Sequence, residues 1–574
     1  DVTPKLSEDK PVFIAGFGHN RKATKVHDPI MARAVVLSDG KQKIALVCVD
    51  VVGLFNAMAQ SVRKQLEGFT YVCVSSTHNH EGPDTLGLWG KSPLVSGIDK
   101  AYMKILEAGI VKAIQDAQKN RASASASIGT IQTPELITDN REPYLKHDDL
   151  VTIRFEGTDG KPIGVLVQWN CHPETMASKN TELTSDYVGV TVSELKKSQG
   201  CPVAYFTGTV GGLMTSLDVP IKNAKGEVLK DGTWEKNDEF GRLVARAAEK
   251  AIKAAKPVTL TPFEARQIAV HIPVANNLYK LIWGAGVLDR TFYIWENDPH
   301  PAKPVEAKDL TRTGAIRTEL GYLKLGELEV AIVPGEIYPE LVLGKVQDPA
   351  DPAADFKDAP IEPSLYAQMK GKHKMLIGLG NDEIGYIIPK RQWDAKAPFC
   401  YGRKKDQYGE ENSVGQEAAP VLCKAFADLV KHDETGGLPG EGKVESRRSL
   451  ASLMISPRND VQKYLAIFCP VAREGNVSIL SDRAANQAFM KKHDLSLAVI
   501  QAYLADLRVE EYSSGPEHDD DPDRRGSCQI WKFGPDFCDA PLYVKLADWL
   551  QNRPKRHHCV SFKEASPALT LPYL

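Results

Sequence analysis

The sequence predicts a layered α/β domain over residues 1–435, followed after a linker by a smaller α+β domain over residues 449–574. Two observations carry this. Up to about residue 430, short apolar runs of strand character alternate with amphipathic stretches of helical period. The character then changes at His432-Asp433-Glu434-Thr435-Gly436-Gly437-Leu438-Pro439-Gly440. Glycine, proline and charge there read as a linker, taken as residues 436–448. With 574 residues, 42% hydrophobic and 25% charged, the chain is long enough for more than one core.

In order, Lys43–Val52 (KIALVCVDVV) is a near-continuous apolar run, as for a strand buried on both faces. A helix is expected over Ala57–Leu66, a strand over Tyr71–Ser75 and a helix over Ala101–Gln118. In that helix Tyr102, Leu106, Ile110 and Ala113 recur on one face. Further strands are expected at Val151–Phe155, Ile163–Trp169, Val203–Phe206, Glu329–Val333 and Met375–Leu379, and a helix at Glu235–Ala255. After the linker, helices are expected at Arg483–Lys492 and Leu497–Leu507, and strands at Gln529–Phe533, Leu542–Leu546 and Cys559–Lys563. The acidic turn Glu517–Asp523 lies between them.

The formal net charge of −3 supplies no global field for nucleic acid or an anionic membrane. No apolar run approaches the roughly eighteen residues needed to span a bilayer. The opening Asp1-Val2-Thr3-Pro4 is what signal-peptide removal, or trimming, would leave, and a secreted or periplasmic location is expected. Cys48, Cys73, Cys171 and Cys201 lie in or beside apolar runs, and no CxxC pair occurs. Buried thiols are therefore expected rather than a disulfide framework.

Four polar signals stand at strand ends. The loop Ser75-Ser76-Thr77-His78-Asn79-His80-Glu81-Gly82-Pro83 follows an apolar strand, where α/β sheets present functional groups. In extended backbone, residues two apart point the same way, so His78 and His80 are expected to face one cavity. Neutral imidazole ligates zinc, and its ordinary pKa suits proton transfer. The other three are His172 in Asn170-Cys171-His172-Pro173-Glu174-Thr175, Glu336 after Val333-Pro334-Gly335, and Tyr386 in Ile384-Gly385-Tyr386-Ile387-Ile388. Each alone has an ordinary alternative: a solvated loop histidine, a strand-end histidine bonded to backbone, a helix N-terminal glutamate, a core tyrosine. Together they make a mixed nitrogen and oxygen set suited to zinc with one position left open.

Thr77-His78-Asn79-His80-Glu81-Gly82-Pro83 resembles the THTHSGP motif of the neutral/alkaline ceramidase family. The segment Ala15-Gly16-Phe17-Gly18 through His27-Asp28-Pro29 and Arg33-Ala34 is similar to that family's amino-terminal segment. Asn140-Arg141-Glu142-Pro143-Tyr144, Trp169-Asn170-Cys171-His172-Pro173, Pro334-Gly335-Glu336, Gly378–Tyr386 and Tyr408-Gly409-Glu410-Glu411-Asn412-Ser413 follow in the family's order. The resemblance spans most of residues 1–430. It implies a zinc-dependent hydrolase of carboxylic amides or esters, with His78, His172, Glu336 and Tyr386 holding Zn2+. It implies His80 as the acid/base group, and Arg141 and Tyr408 as donors to the scissile carbonyl and its oxyanion.

One departure bears on substrate. The family's GDVS-type turn is replaced by Thr209-Val210-Gly211-Gly212-Leu213-Met214-Thr215-Ser216. Leu213 stands in place of the aspartate and Thr215 in place of the serine, so Thr215 joins the catalytic candidates. A lost carboxylate points to a small-molecule or lipid-like ester or amide other than, or broader than, ceramide. A true ceramidase is the alternative. No counterpart of the family's carboxy-terminal β-sandwich is evident.

Residues from about Asp482 instead resemble the motility-quorum-sensing-regulator toxins, small mRNA-cleaving endoribonucleases. The resemblance rests on Leu507-Arg508-Val509-Glu510-Glu511-Tyr512, Gln529-Ile530-Trp531-Lys532, Leu542-Tyr543-Val544-Lys545-Leu546 and Cys559-Val560-Ser561-Phe562-Lys563-Glu564. It implies Lys532, Tyr543 and Lys563 as RNA-cleavage candidates. Ser513 stands where that family has a lysine, and Lys532 where it has a glutamine. An inactive module, or a fusion, is the other reading. Three function classes therefore remain: a metallohydrolase, an endoribonuclease confined to the end of the chain, and a non-catalytic binding protein with a vestigial metal site.

Overall fold

The computed structural model describes residues 1–307 and 314–431, together with position 491 and the strands between 477 and 564. The chain divides into two units: residues 1–279, 286–307 and 313–438, and residues 280–285, 308–312 and 439–574. The expected linker and the two expected helices of the second unit fall outside the described residues, position 491 apart.

The first unit is mixed α/β and, among the described residues, holds three sheets of three or more strands besides three two-stranded pairs. One has the order Ala32–Ser38, Lys43–Val49, Tyr71–Ser76, with the first pair antiparallel and the second parallel. The second runs Val203–Thr207, Pro162–Trp169, Asp149–Gly157, Ala124–Gln132, Lys256–Val258, parallel only in its first pair. The third runs Phe263–Pro273, Gly314–Leu325, Leu328–Ile332, His373–Ile377, parallel only in its last pair.

Side-chain alternation sorts each apolar run between two cores. Ile44, Leu46 and Cys48 join Tyr71, Cys73, Leu166, Phe206, Val330, Ile332 and Ile377 in a central core fed by all three sheets. Ala45, Val47 and Val49 face Leu106, Ile110 and Ile114 of the helix Lys100–Lys119. Val165, Val167, Trp169 and Tyr205 face the helices Asp186–Gln199 and Trp234–Ala254 through Tyr187, Leu195, Phe240 and Val244. Burial on both faces is why these runs show no polar alternation.

Local signals set the helix ends. Asp99 accepts a hydrogen bond from Ala101 N at 2.8 Å, and Thr233 from Lys236 N at 3.3 Å, both as N-caps. Gly200 closes Asp186–Gln199 at φ 67°.

Three expectations are corrected. The first strand ends at Val49 rather than Val52; the chain turns there, leaving the Val52 carbonyl for a side chain. In Lys100–Lys119 the buried position is Ile114 rather than Ala113, which is half-buried. The twelve-residue strand Gly314–Leu325 was not expected, because Arg317 and Glu319 break its apolar pattern. Both are satisfied internally: Arg317 donates to Asn56 Oδ1 at 3.1 Å, and Glu319 pairs with Arg63 at 2.6 Å.

Among the described residues, six cysteines are all free and buried, including the four singled out by sequence. No described helix is long and apolar enough to cross a membrane. In the second unit the described strands form a sheet of order Val477–Ile479, His558–Glu564, Ala540–Trp549, Cys528–Phe533, Tyr512–His518. The first pair is parallel and the others antiparallel.

Candidate active site

The loop after Tyr71–Ser76 does not continue as extended backbone. His78 sits at φ 65°, a left-handed conformation rare for a residue with Cβ and common at functional sites. The histidines therefore converge through a turn, not through strand alternation. The ring centroids of His78 and His80 are 4.9 Å apart, those of His78 and His172 4.7 Å, and those of His80 and His172 5.5 Å. All three are buried, and one ligating atom from each falls within 4.8 Å of the others.

Backbone carbonyls orient two of these rings. His78 Nδ1 lies 2.7 Å from Val52 O, and His172 Nδ1 lies 2.8 Å from Met214 O. A carbonyl only accepts, so each Nδ1 carries a hydrogen, and in the neutral ring each Nε2 keeps a lone pair. Both Nε2 atoms face one carboxylate oxygen, Glu336 Oε2, at 3.3 Å from His78 and 3.0 Å from His172. Lone pairs and an anionic oxygen facing one another across 3 Å require a cation between them, a proton or a metal. Burial opposes charge on Glu336, yet the two imidazoles hold its carboxyl far below the usual range; burial lowers His78, and Glu336 reverses this to a net rise. His78, His172 and Glu336 could thus hold a metal ion between them, and the carbonyl bonds are the kind of outer support that metal-ligating histidines have.

Tyr386 is the register partner of Glu336 in the parallel pair Glu336–Ile337 and Tyr386–Ile387. Its ring centroid lies 6.0 Å from that of Tyr408. His78, His80, Glu336, Tyr386 and Tyr408 all line one cavity of about 80 Å³, whose other walls include Phe55, Leu86, Trp89, Leu288 and Phe292. A second cavity of about 380 Å³ is lined by Tyr386 and Tyr408 together with Arg141, Leu213, Arg403 and Lys405. The two tyrosines therefore separate an apolar chamber from a polar one.

His80 forms part of the wall of the first cavity. Its backbone N donates to Pro173 O at 3.0 Å, and its carbonyl accepts from Arg21, which also pairs with Glu81 at 3.2 Å. Gly16, at φ 101°, packs on the ring; a Cβ there would lie 2.4 Å from His80 Cγ. Burial, partly offset by Glu174, pushes His80 down to about 4.

Arg141 is buried and largely committed. It donates to Tyr338 Oη at 3.1 Å, to Gln392 O at 3.1 Å, to Glu410 Oε1 at 2.6 Å and to Glu142 O. Four of its five N–H donors are engaged, which leaves one Nη1 hydrogen for a substrate oxygen.

Thr215 is not on either cavity wall. It sits beside His172 in a backbone bridge and gives its hydroxyl to Glu174 Oε1. The turn that carries it packs on the Glu336 strand: Gly211 N donates to Ile337 O at 3.0 Å, and a Cβ on Gly211 would lie 2.4 Å from Ile337 C.

Sequence reasoning passed over Glu174, Arg21 and Glu410. Only Glu174, two residues after His172, carried a local signal. Lys532, Tyr543 and Lys563 lie on strands of the second unit, where Tyr543 stands opposite Lys563 in register and Lys532 opposite Lys545.

Residues 1–212 match the family model described as neutral/alkaline non-lysosomal ceramidase, N-terminal. The structure is similar to that of a neutral ceramidase from Pseudomonas aeruginosa, with a TM-score of 0.56 at 13% identity, covering 98% of this chain and 97% of that one. A ceramidase complexed with C2 matches with the same score and identity, covering 98% of each chain. The matched span includes residues after 435. At this identity the likeness speaks for the fold; with the family model, it supports a ceramidase-like hydrolase.

One buried carboxyl near Arg141 yields a pH test. Glu340 accepts from Gln392 Nε2 at 2.9 Å on Oε1, while Oε2 is buried without a partner. Burial lifts its carboxyl from 4.5 to about 7. A pKa raised in the folded state contributes stability that is complete below the unfolded value and is lost as pH rises through the folded one. Glu340→Gln should therefore change little at pH 4 and stabilise at pH 8, by up to about 3 kcal/mol at 1.4 kcal/mol per unit. Urea unfolding of both proteins at the two pH values checks this; an equal difference at both would refute it.

Proposed function

We propose that residues 1–435 form a zinc-dependent hydrolase that cleaves a carboxylic ester or amide bond in a ceramidase-like manner. The observation that carries this reading is the pair of Nε2 lone pairs, on His78 and His172, aimed at Glu336 Oε2 beside an apolar cavity. Tyr386 completes the ligand set from the adjoining strand. A zinc ion in this set would make hydroxide available near neutral pH and polarise a carbonyl. The apolar chamber takes the acyl arm and excludes water from it. Tyr408 and the remaining Arg141 hydrogen steady the developing oxyanion. His80 takes the proton released by water and passes it to the leaving nitrogen or oxygen.

About one zinc per chain is expected, with activity abolished by chelation. His78→Ala or His172→Ala should lose metal and activity together. His80→Ala should keep its zinc while turnover falls about 10²–10⁴-fold. Metal analysis beside kinetics decides this: zinc lost from His80→Ala would move His80 into the ligand set, and a fully active metal-free protein would remove zinc from the reaction.

The substrate reading rests on Leu213. Leu213 lines the polar cavity where the family motif has an aspartate. Short-chain carboxylic esters and plain N-acyl amides are therefore the preferred substrates. Their kcat/KM should exceed that of ceramide on the same preparation, and a clear ceramide preference would return the protein to ceramide hydrolysis.

A second activity is proposed for the end of the chain, as a metal-free endoribonuclease of the motility-quorum-sensing-regulator kind. It is supported by the register that sets Tyr543 opposite Lys563 and, on the strand that carries Tyr543, Lys545 opposite Lys532. RNA cleavage should survive chelator and disappear in Tyr543→Phe. Absence of chelator-resistant cleavage by the full chain leaves that unit without this role.

A further inference from the structure

A buried carboxylate that neither the ligand set nor the chambers use lies on the loop after His172. Glu174 is 3% exposed. The Thr215 hydroxyl donates to its Oε1, and its Oε2 lies 3.3 Å from His80 Nδ1. That contact is at ion-pair distance without the alignment of a hydrogen bond, and Nδ1 has no other polar partner. The two loops are held in step, since His80 N donates to Pro173 O at 3.0 Å and His172 bridges Thr215 through the backbone. Thr215 is itself fixed, its oxygen accepting from Leu217 N at 2.9 Å.

We propose that Glu174, anchored by Thr215, is the positioning residue of His80. A buried carboxylate costs several kcal/mol unless paired, and these two groups are the partners its oxygens meet. By facing Nδ1 at 3.3 Å, the Glu174 carboxylate favours the tautomer with its hydrogen on that nitrogen. The lone pair is then left on Nε2, the nitrogen free to take a proton from water and hand it to the leaving group. The same arrangement, a carboxylate behind a histidine, sets tautomer and ring angle in other hydrolases. It gives Thr215 a structural reason to carry a hydroxyl although it lines neither chamber.

This inference rests on His80 being the acid/base group, so the test separates the two. In the zinc-loaded full chain, Glu174→Gln should retain about one zinc, leave KM for a p-nitrophenyl ester within about twofold, and lower kcat about 10–100-fold. Combined with His80→Ala, its effect should vanish, because it acts only through that ring. Thr215→Val, close to isosteric, should show a smaller loss of the same kind and guards against a Glu174→Gln protein that fails to fold. Ring 15N shifts of His80 should report the Nδ1–H tautomer in the wild type and a mixture in Glu174→Gln. Full turnover by His80→Ala would sink the acid/base reading itself. A crippled His80→Ala beside an unimpaired Glu174→Gln, full multiplication of the two losses in the double variant, or unmoved ring shifts would each overturn the role of Glu174 alone.

Discussion

The site depends on one buried carboxylate facing two imidazole lone pairs. Glu336 Oε2 stands within 3.0–3.3 Å of both Nε2 atoms, and neither ring can turn away, because each Nδ1 is tied to a backbone carbonyl. Such a cluster is unfavourable until something positive enters it. Cation binding and the stability of these loops are therefore linked, as in metal sites generally. Three requirements follow: the first strand must end early enough to free the Val52 carbonyl, His78 must accept a left-handed backbone, and the glycine turn must bring Met214 O to His172.

The sheets exist in a form that meets those requirements. Strands buried on both faces present side chains to two cores at once, which leaves only their ends for polar chemistry. His78 and His172 follow strands of two different sheets. Glu336 and Tyr386 follow strands of the third and are brought side by side by their own short parallel pair. The central core that joins the three sheets therefore sets the distances of the site. Close contacts of glycine backbone with Ile337 and His80 transmit that placement without intervening side chains.

Electrostatic tension is spread over several buried acids. Glu174 is brought down to about 2, burial working against this while His80, His172 and Thr215 overcome it. Glu383, in the wall of the apolar chamber, is pushed up by burial and by Glu336. Glu410, beside Arg141, is raised to about 7 by burial although the guanidinium opposes it. Carboxyls whose surroundings separate their protonation in this way are characteristic of a site that handles protons.

Much of this was legible in the sequence. Apolar runs ending in polar loops marked the strands, and Thr77–Pro83, His172, Pro334-Gly335-Glu336 and Tyr386 were identifiable because local motif and strand end coincide. Gly314–Leu325 was not, since its polar residues find their partners, Asn56 and Arg63, only across the fold. Tertiary structure alone decided which nitrogen of His78 and of His172 faces the site, that Arg141 spends four donors on its own protein, and that Glu174 comes within 3.3 Å of His80. The physical reason is separation along the chain. Glu336 meets His172 across 164 positions and Arg141 meets Glu410 across 269. Local sequence sets a residue's chemistry and its place at a strand end. Only the packing of three sheets on one core decides which partner a buried charge finds.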